Sequence, residues 1–379
     1  MKVVKVRSPF IIEIPSQGST HTGSKIILTI WNNGAEPTNA SQGGYYELTK
    51  SNPSTTQKVT NYNVSNYVKE FIENVAPTNY DLNPGINVYS EESFQWCNFR
   101  VKKYWYDTTT SAYILLTNVT YVGVNGFTNY TDGYQNPTDT VLNLLGNTSI
   151  NFNYYQNTYS DFKMEYVNLL LDKLSTTVTS VKYERIDGTV FSFTTNFLIG
   201  SSGIFNIKIP ITPIIYDVRF INGCKVTVTS TPLSGSPIVY IFYTYPTEEC
   251  KYTPVRCSFV NRYGGWKDII FFKAQTNSIS VKGTDYKLTQ SAINYNTAIG
   301  QFKTFNLNGK QTVKLNTGFV NENYSELITD LLLSETVLLD GKPVTVKTQG
   351  SDLKTSLKDK LINYEMEFEY AYNLINDVV

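Results

Sequence analysis

The sequence predicts a mainly β protein, assembled from several small antiparallel modules of sandwich or barrel type with one or two short helices. Three observations carry that expectation. Apolar and polar residues alternate with a period of two over much of the chain, as in KIILTIW at 25–31 and CKVTVTS at 224–230, which is the pattern of strands with one buried face. Turn-forming pairs recur between such runs, at Asp132-Gly133, Asp187-Gly188, Asn222-Gly223, Asn308-Gly309 and Asp340-Gly341, where glycine accepts the positive φ that tight hairpins demand. Helical spacing, by contrast, is confined to a few short segments.

Taken in order, the N-terminal MKVVKVRSPFIIEIPSQ has neither a long apolar core nor a small-residue cleavage site, so neither export nor membrane insertion is expected. NYVKEFIENV at 66–75 reads as a turn or two of helix, and DFKMEYVNLLLDKL at 161–174 fits a buried strand as well as a helix. GSSGIF at 200–205 lacks a following helix to complete a phosphate cradle and reads as a loop. Turn formers interrupt the strand pattern in DGYQNPTDT at 132–140 and YPTEECKYTP at 245–254, which divides the chain into modules at 1–135, 136–247 and 248–379. In the last module Asn323-Tyr-Ser-Glu326 has the form of a capping box opening onto Leu327, Ile328, Leu331 and Leu332, so a short helix is expected near 323–335.

The stretch CSFVNRYGGWKDIIFFK at 257–273 could be a ligand loop or a chain reversal. Two alternating runs joined by Asn-Arg-Tyr-Gly-Gly favour a hairpin whose loop is 261–265. Tyr263 and Trp266 beside the double glycine then become candidate interface anchors at its tip, since aromatics on rigid loops commonly hold protein partners.

Strict alternation in NYEMEFEYAY at 363–372 puts Glu365, Glu367 and Glu369 on one strand face and Tyr364, Met366, Phe368, Tyr370 and Tyr372 on the other. Two residues of strand separate neighbouring carboxylates by about 6.6 Å, near the lower end of the spacing in inverting glycosidases. Catalysis would require one carboxyl to be desolvated, whereas three in a row opposite an aromatic core describe a solvated face, or one turned towards a conduit.

No other catalytic or metal site is expected. GxSxG, GxxxxGK[ST] and HExxH are absent. The cysteines at 97, 224, 250 and 257 are too far apart for CxxC pairs, and His21 is the sole histidine. Asn-x-Ser/Thr triplets, at Asn39, Asn118 and Asn323 among others, follow from an Asn- and Thr-rich composition. Thirty-two basic and 32 acidic residues cancel, so no global field recruits nucleic acid or an anionic membrane. Neither an enzyme nor a cofactor is expected.

In the last third, EECKYTPVRCSFVNRYGGWKDIIFF, LNTGFVNENYSELITDLLLSE, DGKPVTV and DKLINYEMEFEYAYNLIN follow one another in an order that resembles the tail ring proteins of crAss-like bacteriophages of gut Bacteroidales. The resemblance covers residues 248–379, extends more loosely to RSPFIIEIPS, KIILTIWNNG and NYVKEFIEN, and in 136–245 rests on strand richness alone. It implies a virion component made in the host cytoplasm. Copies of the chain would close into a ring, dodecameric in that family, stacked against other tail ring proteins and the portal around a channel for genome and ejected proteins. DNA would pass without specific binding, which suits a neutral chain, since basic residues along a lumen would add phosphate attraction. The Tyr- and Asn-rich composition suits subunit interfaces. A tail fibre or glycan-binding adsorption module is the alternative with a similar composition.

Overall fold

Period-two sequences become strands where one face can be buried, and the computed structural model is built almost wholly from such strands. It describes residues 1–32, 35–51, 59–73, 96–140, 142–146, 152–158, 161–164, 166–172, 176–186, 192–197, 204–210, 222–232, 235–246, 251–348, 350 and 361–376. The chain divides into two compact units, Met1–Thr247 with Phe259–Asp268, and Glu248–Ser258 with Ile269–Val379. Residues 1–135 and 136–247 fall in one unit, although their strands enter separate sheets.

The first unit opens with β1 (Val3–Lys5), β2 (Ile11–Pro15), β3 (His21–Trp31), β4 (Tyr45–Ser51), β5 (Val59–Asn63), helix α1 (Ser65–Lys69), β6 (Trp96–Asp107) and β7 (Ala112–Val124). Five of these strands form a sheet in the order β1-β7-β6-β3-β4, and β2 pairs with β5 as a separate ribbon. Alternation decides what is buried: Ile26, Leu28 and Ile30 of β3, Phe99 and Val101 of β6, Ile12 and Ile14 of β2 and Val68 of α1 share one core. Phe99 stacks on Tyr121 with ring centroids 5.2 Å apart, and Phe10 meets Tyr121 edge-on at 5.1 Å. Burying each such ring stabilises the fold by roughly 1.5–3 kcal/mol. His21 is buried here too, its Nδ1 accepting the Gln17 amide hydrogen bond at 3.1 Å.

The same unit continues with β8 (Leu142–Leu144), β9 (Phe152–Thr158), β10 (Asp161–Met164), β11 (Tyr166–Asp172), β12 (Thr176–Arg185), β13 (Ser192–Phe197), β14 (Ile204–Pro210), β15 (Cys224–Pro232) and β16 (Ile238–Pro246). They form a six-stranded sheet, β10-β9-β16-β15-β12-β13, and a three-stranded one, β14-β11-β8. The ambiguous 161–174 segment thus contains two strands and no helix among its described residues, its apolar run Leu169–Leu171 lying in the middle strand of the smaller sheet. Asp187-Gly188 and the Gly/Ser stretch at 200–203 lie outside the described residues.

Strands β17 (Val255–Val260), β18 (Trp266–Phe271), β19 (Thr276–Lys287), β20 (Phe302–Asn321), β21 (Val337–Leu339), β22 (Lys342–Val346) and β23 (Leu361–Tyr370), with α2 (Tyr324–Leu332) between β20 and β21, complete the chain. Their sheet runs β18-β17-β21-β22-β23-β20-β19. Asp340 and Gly341, at φ 44° and 81°, make the two-residue turn from β21 to β22 that the sequence predicts. Asn308-Gly309 does not turn the chain: it lies inside β20, opposite Lys282 and Val281. Asp132-Gly133 ends a single 3-10 turn, and the strands on either side, β7 and β8, enter different sheets and make no hairpin. Helix α2 forms as expected and buries Leu327, Ile328 and Leu331, but Asn323 makes no side-chain cap. Its own backbone is helical, at φ −60° and ψ −19°, whereas a capping residue must be extended for its side chain to reach the N3 amide.

Candidate interaction surface

The hairpin of 255–271 forms, and its loop is held from within. The Asn261 amide donates to Gly265 O at 2.9 Å, and Asn261 Oδ1 accepts from the Tyr263 and Gly265 amides at 2.9 and 3.1 Å. Gly264, at φ +85°, takes the left-handed position, and a Cβ there would stand 2.9 Å from Val124 Cβ. The tip is not a free surface. Asn261 Nδ2 donates to Leu145 O at 3.0 Å, the Phe127 amide donates to Arg262 O at 2.8 Å, and a Cβ on Gly126 would meet Arg262 O at 2.6 Å. Trp266 is 4% exposed, and Tyr263 packs half-buried beside Val124 and Leu145 with Lys5 Nζ 4.5 Å from its ring centroid. The expected exposed aromatic tip is therefore corrected: Tyr263 and Trp266 anchor the loop inside the first unit, because glycine at 126 and at 264 lets two backbones approach closely.

The C-terminal acidic stripe has the predicted facing as far as Phe368, whereas Tyr370 is half-buried and Tyr372, past the end of β23, is exposed. Tyr364, Met366 and Phe368 are buried, Glu365 and Glu367 are exposed, and Glu369 is half-buried. Antiparallel pairing sets Glu367 opposite Lys314 and Glu369 opposite Thr312 of β20. That register places lysines among the carboxylates. Lys314 pairs with Glu365, and Lys310 and Lys347 each reach Glu369 Oε1 at 3.1 Å. The hydrogen bond from Lys310, with Lys347 behind it, holds the Glu369 carboxyl below its ordinary range against the opposing effect of burial. A general acid needs the reverse shift. The stripe is a solvated, charge-compensated face, and it lacks the bare negative charge that would repel DNA from a channel wall.

A further exposed apolar feature is one the sequence did not single out. Every residue of β19 is exposed, as is β20 from Phe302 to Leu307. The two strands form a ribbon closed by the 288–301 loop, where the Leu288 amide donates to Gln301 O at 2.8 Å and Gln290 Nε2 donates to Ile299 O at 3.2 Å. Asn277 lies opposite the buried Val313, so Asn277, Ile279 and Val281 continue the core face of the sheet, yet Ile279 and Val281 stay 63% and 61% exposed. Ile293, Tyr295, Phe302 and Leu307 are also more than half exposed. Gly283 marks a bulge where a Cβ would meet Thr304 Cγ2 and Leu307 Cδ1 below 3.0 Å, and beyond it Tyr286 and Phe305 pack edge-on at 5.5 Å. The root is clamped by the C-terminal segment: the Leu374 amide donates to Gly309 O at 2.8 Å, and Asn308 exchanges side-chain bonds with the Ile375 backbone at 3.0 and 3.1 Å.

A second apolar patch lies on the six-stranded sheet. On its inner face Val181, Tyr183, Val226, Val228 and Phe242 are buried. Outward positions on β12 and β15 are polar, with Glu184 bridging Lys182 at 2.8 Å and Lys225 at 3.4 Å and with Thr227 and Thr229 between. Opposite those threonines β16 carries Val239 and Ile241, followed by Tyr243 and Tyr245, all four exposed. An outward strand face normally switches to polar residues; here one inner strand keeps an apolar stripe.

Among the described residues no group of three or more His, Cys, Asp and Glu is placed to hold a metal ion, and no helix is long and apolar enough to cross a membrane. No family model matches the chain, and no curated protein matches it. Among solved structures the chain is similar to that titled "Crystal structure of CBD12 from CALX1.2", at 9% identity and a TM-score of 0.19, over 62% of this chain and 76% of that one. A likeness that distant carries no argument here.

Proposed function

We propose that the chain is a structural protein of a phage tail, a subunit of a ring in the tail barrel through which genome and ejected proteins pass. The observation that carries this reading is the exposed ribbon of β19 and β20, clamped at its root and carrying Ile279, Val281, Phe302, Phe305 and Leu307 in the open. Two strands alone are marginal in water, and contiguous apolar surface on this scale marks an interaction site. A second exposed stripe on β16 gives one chain two unlike patches, which is what a heterologous contact needs in order to close a ring. The compensated charges of β23, and the equality of 32 basic and 32 acidic residues, suit a wall past which DNA slides, with little salt-dependent attraction to phosphate. The order of sequence blocks in residues 248–379, which resembles crAss-like tail ring proteins, supplies the biological setting, and other ring proteins and the portal become the axial neighbours.

Imaging of intact virions tests this. A ring of this chain in the tail is expected, whereas its absence from the tail, or its presence only as peripheral fibres, would overturn the reading. The adsorption-module alternative has one observation of its own. A groove of about 850 Å³ beside Phe10 is lined by Asn129, Tyr130, Asp132, Tyr134 and Gln135, with Tyr130 wholly exposed; an aromatic face among amides and a carboxylate is the kind of surface a sugar can stack on. Glycan-array binding abolished by Tyr130→Ala, with virions that assemble but fail to adsorb, would favour that module.

A further inference from the structure

We infer that the β19–β20 ribbon is an intersubunit arm whose seat is the outward stripe of β16 on a second copy of this chain. The inference rests on the ring reading and adds to it the contact that joins neighbours. Three observations lead to it. The first is area: with whole aromatic side chains contributing 150–250 Å² each, the arm's exposed apolar residues, taken over both faces and the loop, present on the order of 800 Å², and the face that carries Ile279 and Val281 supplies a part of what one partner contributes to a standard protein interface. An arm of that size on its own would be an aggregation hazard, and burying it requires a dedicated surface.

The second is the seat. Val239, Ile241, Tyr243 and Tyr245 follow one another at every second position of β16. Four such positions span about 20 Å of strand, long enough to receive the ribbon face that carries Ile279 and Val281. On the β15 side the flanking outward positions are threonines and a Lys182–Glu184–Lys225 group with one net positive charge, so the apolar stripe has a polar rim along that side, as an interface centre does. β16 is flanked by β9 and β15, so the visitor would pack on the sheet face, leaving the backbone ladder intact. The third is dissimilarity. One patch is a two-stranded ribbon and the other a sheet face, and a contact between two unlike patches is head-to-tail, the kind that propagates around a ring.

Cysteine cross-linking of the full chain in a Cys250→Ser background tests the inference, because Cys97, Cys224 and Cys257 are buried. Ile279→Cys is placed on one sample and Ile241→Cys on a second carrying a size tag, and the two are oxidised alone and mixed, at up to roughly 100 μM chain, where contacts of micromolar strength are populated. The expected result is a dimer joining tagged and untagged chains in the mixture, with none from either variant alone. It should be lost when Ile241→Cys is combined with Tyr243→Asp, while the thermal midpoint of that variant stays unchanged. Cross-linking of Ile279→Cys with itself would show arm-to-arm pairing and overturn the inference, as would absence of any mixed dimer, or a link formed only within one chain when both cysteines are present. Virion imaging separates the two levels: a tail ring whose arms touch a different protein sinks this inference and leaves the ring standing, whereas a tail without the chain sinks both.

Discussion

Gly264 shows how a local signal and a distant constraint combine at one residue. The double glycine made the hairpin legible in the sequence, but which glycine matters was not, because that depends on the backbone at Val124–Gly126, far away along the chain. Gly264 has the positive φ and the Cβ clash, so Gly264→Val is expected to cost about 1–3 kcal/mol through strain and displacement of the loop, read as a lowered denaturation midpoint. The inward docking of Tyr263 and Trp266 was hidden for the same reason. At Glu369 the sequence showed the carboxylate but not its lysines, which arrive by strand register. Its depressed native pKa means the ion pairs stabilise the fold fully above the ordinary glutamate value of 4.5, lose that contribution as the pH falls below it, and retain none below the depressed native value. Glu369→Gln should therefore flatten the fall of urea stability with acidification and lower stability at neutral pH; an unchanged pH profile would contradict the assignment.

Among the elements, β23 was the most legible, because its alternation is strict and period two admits only one assignment of faces. Phe368 is fully buried and meets Phe271 edge-on at 5.7 Å, so Phe368→Ala is expected to destabilise by roughly 3–5 kcal/mol, measurable by chemical denaturation. Helix α2 was legible from its leucine spacing, while its cap was not, since the backbone of Asn323 is set by the chain leaving β20. The arm was the least legible element. TNSISVKGTDYK reads as an ordinary strand, and nothing within it announces that the sheet's core face runs on beyond the core. Chymotrypsin offers a direct check: Tyr295 lies exposed in the 288–301 loop, where proteolysis concentrates, so a cut after Tyr295 is expected in the free protein, and mass spectrometry should find that site protected in assembled tails.

At the scale of the whole molecule, the mainly β class and the α2 position followed from periodicity, while the pairing of strands into sheets did not, because register between distant segments leaves no mark in either segment alone. The loop of 259–268 belongs to the first unit although the residues on either side belong to the second. Synthesis proceeds in the opposite order to that need. When residue 247 leaves the ribosome, the first unit still lacks the loop that satisfies Leu145 O and approaches Val124, and it cannot complete its fold until the chain has emerged through Asp268, 21 residues later. A fragment of residues 1–247 should accordingly bind a hydrophobic dye and unfold with about 2–4 kcal/mol less stability than one of residues 1–268; equal stability would show the loop to be a passenger. The nascent chain thus passes through an interval with an open apolar seam, which is when a chaperone or a neighbouring nascent copy would have its best access to it.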